Sequence, residues 1–250
     1  MKICKILISS IILLGLFGCE KVDTDVIYAI QSGKSVSNIV CGDEEYSYRF
    51  DTQGCMSSIL YNKIALEYAF EYQQDDKLLV TYGNYVNTYT YGQGKELLSI
   101  KMLFSGLDSG MATFEHSDGL PVTYSLSSET NPGYIVSRYT WDNGNLTKII
   151  SEVHEDLPGS VLEFEYTDIL NNLDIPVPFY GDWKLELHSD PFVYPLMCTK
   201  NLPHKITLGG YDCYITYSYE FNSEKDLVRV KADRFSDGKT SSKVYEIEYY

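Results

Sequence analysis

Alternation of apolar and polar side chains after residue 44 constrains the fold more than any other feature of the sequence. In the segment 214–221 the predicted apolar face consists of Ile215, Tyr217, Tyr219 and Phe221. A second predicted face consists of Leu98, Ile100, Met102 and Phe104. A period of two is typical of strands with one dry and one wet face. With polar turns and no helical pattern between such strands, the chain is predicted to be all-β, as an antiparallel meander.

A weak internal repeat supports this prediction. Residues Tyr48 to Ile59 align with Tyr139 to Ile149, each with alternating aromatics, an Asp and a Gly before an outgoing apolar strand. The Asp can hydrogen-bond its own turn, and the Gly can adopt a positive φ. Tyr217 to Val230 and Phe70 to Val80 follow the same scheme more loosely. The repeated unit is predicted to be one hairpin.

One stretch, residues 167–202, departs from the alternation. Asp168 to Leu173 could form a short helix that Pro176 and Pro178 would end. The following segment is rich in proline and aromatic residues, with 183–188 as its single strand candidate. Long ordered loops in compact domains are often functional, so this helix and loop insertion is a candidate part of a binding site.

The first residues have the features of an export signal. Lys2 and Lys5 precede an apolar run too short to cross a bilayer, which ends in Leu16-Phe17-Gly18-Cys19. This pattern matches a bacterial lipobox, although an ordinary secretory signal with an incidental Cys19 is the alternative. We therefore expect a signal peptide at 1–18, a lipidated Cys19 with a tether to residue 43 that has room for one strand, and one β domain at 44–250. Acyl chains on Cys19 would attach the protein to the membrane.

The charge of the chain restricts its partners. The formal net charge is −15, and removal of the two signal-peptide lysines makes it −17. Such acidity disfavours nucleic acid and anionic lipid headgroups as partners of the folded surface. We expect a cell-envelope location, most simply the outer membrane, with either a periplasmic or a surface-exposed domain.

Four cysteines remain after the signal peptide and the lipidation site: Cys41, Cys55, Cys198 and Cys213. The simplest disulfide scheme joins Cys41 to Cys55 and Cys198 to Cys213, because each pair flanks a single strand or loop. Four buried free thiols are the alternative. The spacings do not match zinc sites, and no metal or other cofactor is predicted.

Several of these features together resemble a known family. They are the lipobox, the hairpin core from Asp142 to Ile149, the insertion, and the segment Thr199 to Pro203 before the last strands. The chain is similar over residues 44–250 to the Bacteroidetes lipoproteins grouped as DUF4595. That resemblance implies a porin-like fold of unknown function, and hence a strongly curved sheet or a partly open barrel. It implies no catalytic residues.

The end of the chain argues against a lipid-facing barrel. Tyr250 is predicted to share its face with Glu248 and Glu246, and carboxylates on a lipid-facing surface would be costly. A domain held outside the bilayer by its lipid fits this sequence better.

The residues favour binding over catalysis. The sequence contains no serine-hydrolase elbow, phosphate loop or zinc motif, so we expect no enzyme. The predicted function is a binding or scaffold domain for an apolar or carbohydrate ligand. The candidate ligand-binding residues are Trp141, Phe179, Tyr180, Trp183, Phe192 and Tyr194. The alternatives are a structural protein that meets another envelope protein, or a glycan hydrolase with two carboxylates in a cleft.

Overall fold

A computed structural model describes residues 34–52, 54–73, 76–94, 96–128, 131–153, 159–171 and 193–250. Within these residues the chain forms one closed antiparallel barrel, in which each strand pairs with its sequence neighbours and the first strand pairs with the last. The sixteen strands are β1 Val36–Cys41, β2 Glu44–Phe50, β3 Met56–Tyr61, β4 Leu66–Gln73, β5 Lys77–Tyr82, β6 Tyr85–Tyr91, β7 Leu97–Phe104, β8 Leu107–Ser117, β9 Leu120–Ser128, β10 Asn131–Asp142, β11 Asn145–Val153, β12 Ser160–Leu170, β13 Asn201–Leu208, β14 Cys213–Phe221, β15 Leu227–Ser236 and β16 Lys239–Tyr249. A short 3-10 turn, Asn62–Ile64, and a helix α1, Val193–Met197, complete the described elements.

The repeated hairpins have the predicted register. Tyr48 lies opposite Ile59 in the first repeat, and Tyr139 lies opposite Ile149 in the second. In the first repeat the Asp51 carboxylate accepts a hydrogen bond from the Cys55 N–H at 2.9 Å, which stabilises the turn. The all-β, antiparallel prediction is therefore confirmed, with the barrel fully closed.

The inner face of the barrel is apolar. Its buried side chains form one cluster, and tyrosine provides many of them because its ring suits a pleated, buried surface. The largest fully buried side chains are Tyr48, Tyr68, Tyr124, Ile39, Ile59, Leu146, Ile149, Leu196, Leu202, Leu227 and Val36.

The outer face carries charged side chains in cross-strand pairs. These pairs are Arg138–Glu152 at 2.7 Å, Lys148–Glu163 at 3.1 Å, Lys205–Glu165 at 3.3 Å and Arg229–Glu220 at 3.5 Å. Glu246 and Glu248 of the last strand are exposed as well. This polarity is the reverse of a membrane-spanning porin, which has an apolar outer band and a polar lumen. Among the described residues, no helix has the length and composition of a membrane span.

Three local predictions were wrong. The barrel begins at Val36, inside the predicted tether, because β1 pairs with both β2 and β16. Residues 168–170 extend β12 instead of starting a helix, since Leu170 pairs with Asn201. A short apolar run fits either element, and here the strand partner decides.

The third difference lies in β7, where Leu97 is buried and Leu98 is exposed, the reverse of the predicted alternation. The register shifts at this point, because Tyr91 pairs with Leu97 while the preceding Thr90 pairs with Ser99. Leu98 is the extra residue of a bulge, which moves its side chain to the outer face.

The two predicted disulfides do not form. Cys41, Cys198 and Cys213 are free thiols, so neither the Cys41–Cys55 bond nor the Cys198–Cys213 bond is present. Cys41 and Cys55 lie at opposite ends of β2, which is about 20 Å long at 3.3 Å per residue. A disulfide needs Cα atoms within about 7 Å. Cys198 and Cys213 are separated in the same way by β13, so cysteines that flank one strand are too far apart to bond.

Candidate functional site

The barrel has two different ends. The upper rim contains Lys34 and Ser35 before β1, Tyr250 after β16, and α1. The lower rim contains the short turns that follow β1, β3, β5 and β7. The predicted and the unpredicted candidate residues lie on different rims.

On the upper rim, α1 is tied to the ends of the strands around it. Thr199 is buried and its hydroxyl donates to the Leu196 carbonyl at 2.8 Å. The Lys200 N–H donates to the Gly144 carbonyl at 2.8 Å, and the Asn201 N–H donates to the Asn145 side chain at 2.8 Å. These bonds hold the segment after α1 against the turn between β10 and β11.

Tyr194 of α1 contacts strands far from the ones that flank it in sequence. Its hydroxyl accepts a hydrogen bond from the Leu97 N–H at 3.0 Å, and its ring centroid lies 5.1 Å from that of Phe114. Leu97 begins β7 and Phe114 lies in β8, whereas α1 leads into β13. The helix therefore connects two distant parts of the upper rim.

Burial shifts the pKa values of Tyr194 and of the groups around it. Burial raises the pKa of the Tyr194 hydroxyl and lowers the pKa of His116, while Glu96 has the smaller, opposite effect on the histidine. His116 Nε2 lies 3.3 Å from the Tyr194 hydroxyl. A neutral imidazole whose Nε2 carries no proton can accept a hydrogen bond from the hydroxyl in this contact. Burial also raises the pKa of the neighbouring Cys198 thiol to about 12.

Trp141, the other described candidate, lies on the same rim. Its Nε1–H donates to the Pro121 carbonyl at 2.6 Å, and Pro121 pairs with His116 across β8 and β9. The structure thus brings Trp141 and Tyr194 to one end of the barrel, where their polar groups bond within the protein. Phe179, Tyr180, Trp183 and Phe192, like the predicted lipidation site Cys19, lie outside the described residues.

A cleft of 570 Å³ lies on the upper rim where the residues before β1 meet those after β16, and it is lined by Ser35, Arg49, Phe50, Gly54 and Tyr250. The Tyr250 N–H donates to the Ser35 carbonyl at 3.0 Å, and its hydroxyl donates to the Tyr48 carbonyl at 2.6 Å. These bonds seal the junction of the last residue with β1 and β2.

The lower rim carries a row of aromatic side chains that the sequence analysis missed. Tyr68 in the core stacks on Tyr82 with ring centroids 4.9 Å apart, and Tyr82 stacks on Tyr85 at 4.9 Å. Tyr85 contacts Phe104 at 4.7 Å, and Phe104 pairs with Leu107. We call Tyr68, Tyr82, Tyr85, Phe104 and Leu107 the aromatic row.

Exposure rises along the aromatic row. Tyr68 is 2% exposed, Tyr85 40%, Phe104 42% and Leu107 74%. Because strands tilt relative to a barrel axis, neighbours across the sheet climb towards one end. The aromatic row therefore leads from the sealed interior to the mouth at the lower rim.

Asn87 lies next to this row. It alternates with Tyr85 and Tyr89 on β6 and is only 1% exposed, so its side chain points into the barrel. An amide at an inward position between two tyrosines was a detectable signal in the sequence. Among the described residues, no cluster of His, Cys, Asp and Glu could hold a metal ion.

Comparison with known proteins identifies the fold. A porin-like protein from Bacteroides uniformis superposes with a TM-score of 0.63 at 12% identity, over 86% of this chain and 96% of that one. A porin-like protein from Bacteroides vulgatus gives a TM-score of 0.43 at 15% identity, over 87% and 99% of the two chains. No protein-family model and no curated protein matches the sequence. This chain therefore shares the porin-like barrel fold of the Bacteroides uniformis protein.

Proposed function

We propose that this protein is a non-catalytic, lipid-anchored lipoprotein of the cell envelope that binds an apolar or carbohydrate ligand at the lower mouth of its barrel. The aromatic row is the observation that carries this proposal. Aromatic rings that are 40–42% exposed at the end of a barrel, as Tyr85 and Phe104 are, suit both apolar molecules and sugar rings.

The polarity of the wall supports attachment through a lipid at Cys19 instead of insertion of the barrel. Arg138, Lys148 and Lys205 point outward at different places on the wall. An arginine or lysine facing lipid at the bilayer midplane costs about 2–4 kcal/mol. The barrel is then held outside the bilayer, with its mouth open to the aqueous compartment of the envelope.

The charge of the chain narrows the ligand class. A net charge of −15 repels anionic molecules at long range. Tyr85 and Phe104 at the mouth offer ring surface without charge. The preferred ligand is therefore neutral.

The proposal is tested by binding to the folded domain without its signal peptide. The neutral dye N-phenyl-1-naphthylamine is titrated by fluorescence, and cellotetraose is titrated by calorimetry. The Tyr85→Ser/Phe104→Ser double variant removes the two half-exposed rings. Tyr211→Ser is the matched control, because Tyr211 is also exposed on the lower rim and is no part of the aromatic row.

Wild type and Tyr211→Ser are expected to bind at least one of the two probes with the same affinity. The double variant is expected to bind that probe at least tenfold more weakly, a loss of about 1.4 kcal/mol. Failure of both probes to bind, or equal affinity in all three proteins, would contradict the proposal.

A protein partner is the alternative, and Leu107 favours it, because its 74% exposed side chain extends the apolar surface of Phe104, and contiguous exposed apolar surface marks protein contact sites. If the partner is a protein, an envelope protein should cross-link to wild type and not to the Leu107→Ser variant. Neither small probe should then bind wild type.

A further inference from the structure

The cleft on the upper rim contains an aromatic ring that is both fixed and exposed. The backbone N–H and the hydroxyl of Tyr250 donate to the Ser35 and Tyr48 carbonyls. The ring also packs edge-on against Phe50, with ring centroids 6.1 Å apart. Tyr250 is nevertheless 72% exposed. A ring held in this way loses little conformational freedom when another ring stacks on it, so Tyr250 is a pre-organised surface for a ligand.

Arg49 is the one charged residue among the described residues that line the cleft. Its guanidinium lies 3.8 Å from the Glu67 carboxylate, which is beyond hydrogen-bonding distance. By contrast, Arg138 donates a hydrogen bond to Glu152 at 2.7 Å. The Arg49 and Glu67 side chains are 60% and 51% exposed, so their pairing contributes at most about 1 kcal/mol. The N–H groups of Arg49 can therefore donate to a ligand at low cost.

The rest of the cleft suits a small polar molecule with a ring. Its volume of 570 Å³ lies within the range of about 300–1,000 Å³ that is usual for small-molecule sites. Ser35 adds a hydroxyl, and Gly54 leaves backbone without a side chain at the wall. An extended peptide would need a free strand edge, and the described strands form a closed barrel without one.

We propose that this cleft binds a uronic acid residue of an acidic oligosaccharide. Arg49 binds the sugar carboxylate through two parallel N–H···O bonds, because the planar guanidinium matches the two carboxylate oxygens. The C–H face of the sugar ring lies on Tyr250, and a ring hydroxyl bonds to Ser35. This site is separate from the lower mouth, so the two proposals are tested independently.

The net charge of −15 does not prevent an acidic ligand from binding here. At an ionic strength of about 0.15 M the Debye length is about 8 Å, so exposed charges far from the cleft act weakly. The Glu67 carboxylate, in contrast, competes with the ligand for Arg49 and repels it. Substitution of Arg49 and substitution of Glu67 should therefore change the affinity in opposite directions.

The first test titrates trigalacturonate and its trimethyl ester into the domain without its signal peptide, by calorimetry at about 0.15 M salt. Wild type is expected to bind the acid at least tenfold more tightly than the ester, which has the same rings without the charge. Arg49→Gln is expected to lose this preference. Arg138→Gln is the matched control from another cross-strand pair on the outer face, and it is expected to keep the preference.

Three results of this titration would overturn the proposal. They are equal affinity of wild type for acid and ester, binding of neither, and a preference that Arg49→Gln retains or that Arg138→Gln also loses. Each would mean that the Arg49 guanidinium is not the group that recognises the carboxylate.

The second test examines the other two features of the cleft with variants whose circular dichroism matches that of wild type. Glu67→Gln is expected to bind trigalacturonate about twofold to fivefold more tightly, because the competing charge is removed. Tyr250→Ser is expected to bind it at least tenfold more weakly, whereas Tyr211→Ser, which removes an exposed ring on the lower rim, binds like wild type. Unchanged or weaker binding by Glu67→Gln, or unchanged binding by Tyr250→Ser, would place the ligand elsewhere and overturn the proposal.

Discussion

At the scale of single residues, tyrosine combines burial with hydrogen bonding where the strand pairing is irregular. Three hydroxyls near the upper rim donate to backbone carbonyls of an adjacent strand: Tyr166 to Leu146 at 2.7 Å, Tyr219 to Pro203 at 2.5 Å and Tyr249 to Leu227 at 2.6 Å. The register of the sheet shifts beside Leu146, Pro203 and Leu227. Each hydroxyl therefore satisfies a carbonyl near a bulge while its ring packs in the core.

His116 makes the contact of α1 with the barrel wall sensitive to pH. Its pKa is lowered in the folded state, chiefly by burial, so the unfolded chain binds a proton more readily. The stabilisation from the neutral imidazole is present above the unfolded pKa of about 6.5 and is lost as the pH falls through the folded pKa. We expect the urea midpoint of wild type to decrease more between pH 7.5 and pH 5.5 than that of His116→Gln, which keeps a hydrogen-bonding group but does not titrate. Parallel decreases in both proteins would contradict this role of His116.

At the scale of elements, the hairpin is the unit that repeats around the wall. The register shifts between Arg49 and Phe50, between Thr140 and Trp141, and between Glu220 and Phe221, always just before the turn. A bulge at this place increases the local twist of the strand, which helps a sheet to close. Each repeat of the hairpin sequence therefore also brings a bulge that helps the sheet to curve.

The bulge in β7 gives opposite roles to two adjacent leucines. Leu97→Ala is expected to lower the free energy of unfolding by about 2–4 kcal/mol, because it removes a side chain from the core. Leu98→Ala is expected to change it by less than about 1 kcal/mol, because Leu98 faces solvent. Urea denaturation of the two variants measures both values. A larger loss of unfolding free energy for Leu98→Ala than for Leu97→Ala would mean that Leu98 is the buried leucine, as the sequence alone predicts. That result would exclude the bulge.

The elements differ in how far the sequence could predict them. Tyr48, Asp51 and Ile59 were placed correctly because alternation and turn chemistry are both contained in a short window. The orientation of Leu97 and Leu98 depends on their pairing with β6, which a local window does not contain. The cysteine pairs failed for a related reason, since proximity in sequence across one strand means distance in space.

The candidate site was predicted less well than the fold. The aromatic content of the sequence led to the prediction that Trp141 and Tyr194 bind a ligand. In the structure their polar groups make hydrogen bonds to other residues of the upper rim. The aromatic row joins residues from five strands, so no single stretch of sequence displays it. Only the pairing of β4, β5, β6 and β7 brings Tyr68, Tyr85 and Phe104 into one line.

At the scale of the whole molecule, the barrel has the outline of a porin and the opposite polarity. Tyrosine and aliphatic side chains fill its inner face, while ion pairs such as Lys148–Glu163 occupy its outer face. A wall of this kind gains stability by excluding water from the interior. Transfer of this wall into lipid would not stabilise it, because its outer charged side chains would lose their hydration.

The most direct test of this polarity is flotation of the domain without its signal peptide on phosphatidylcholine vesicles in a density gradient. The account predicts that the domain, purified without detergent and shown to be β-rich by circular dichroism, stays in the dense aqueous fractions. Flotation of the folded domain with the vesicles, together with protection of its strands from protease, would contradict it.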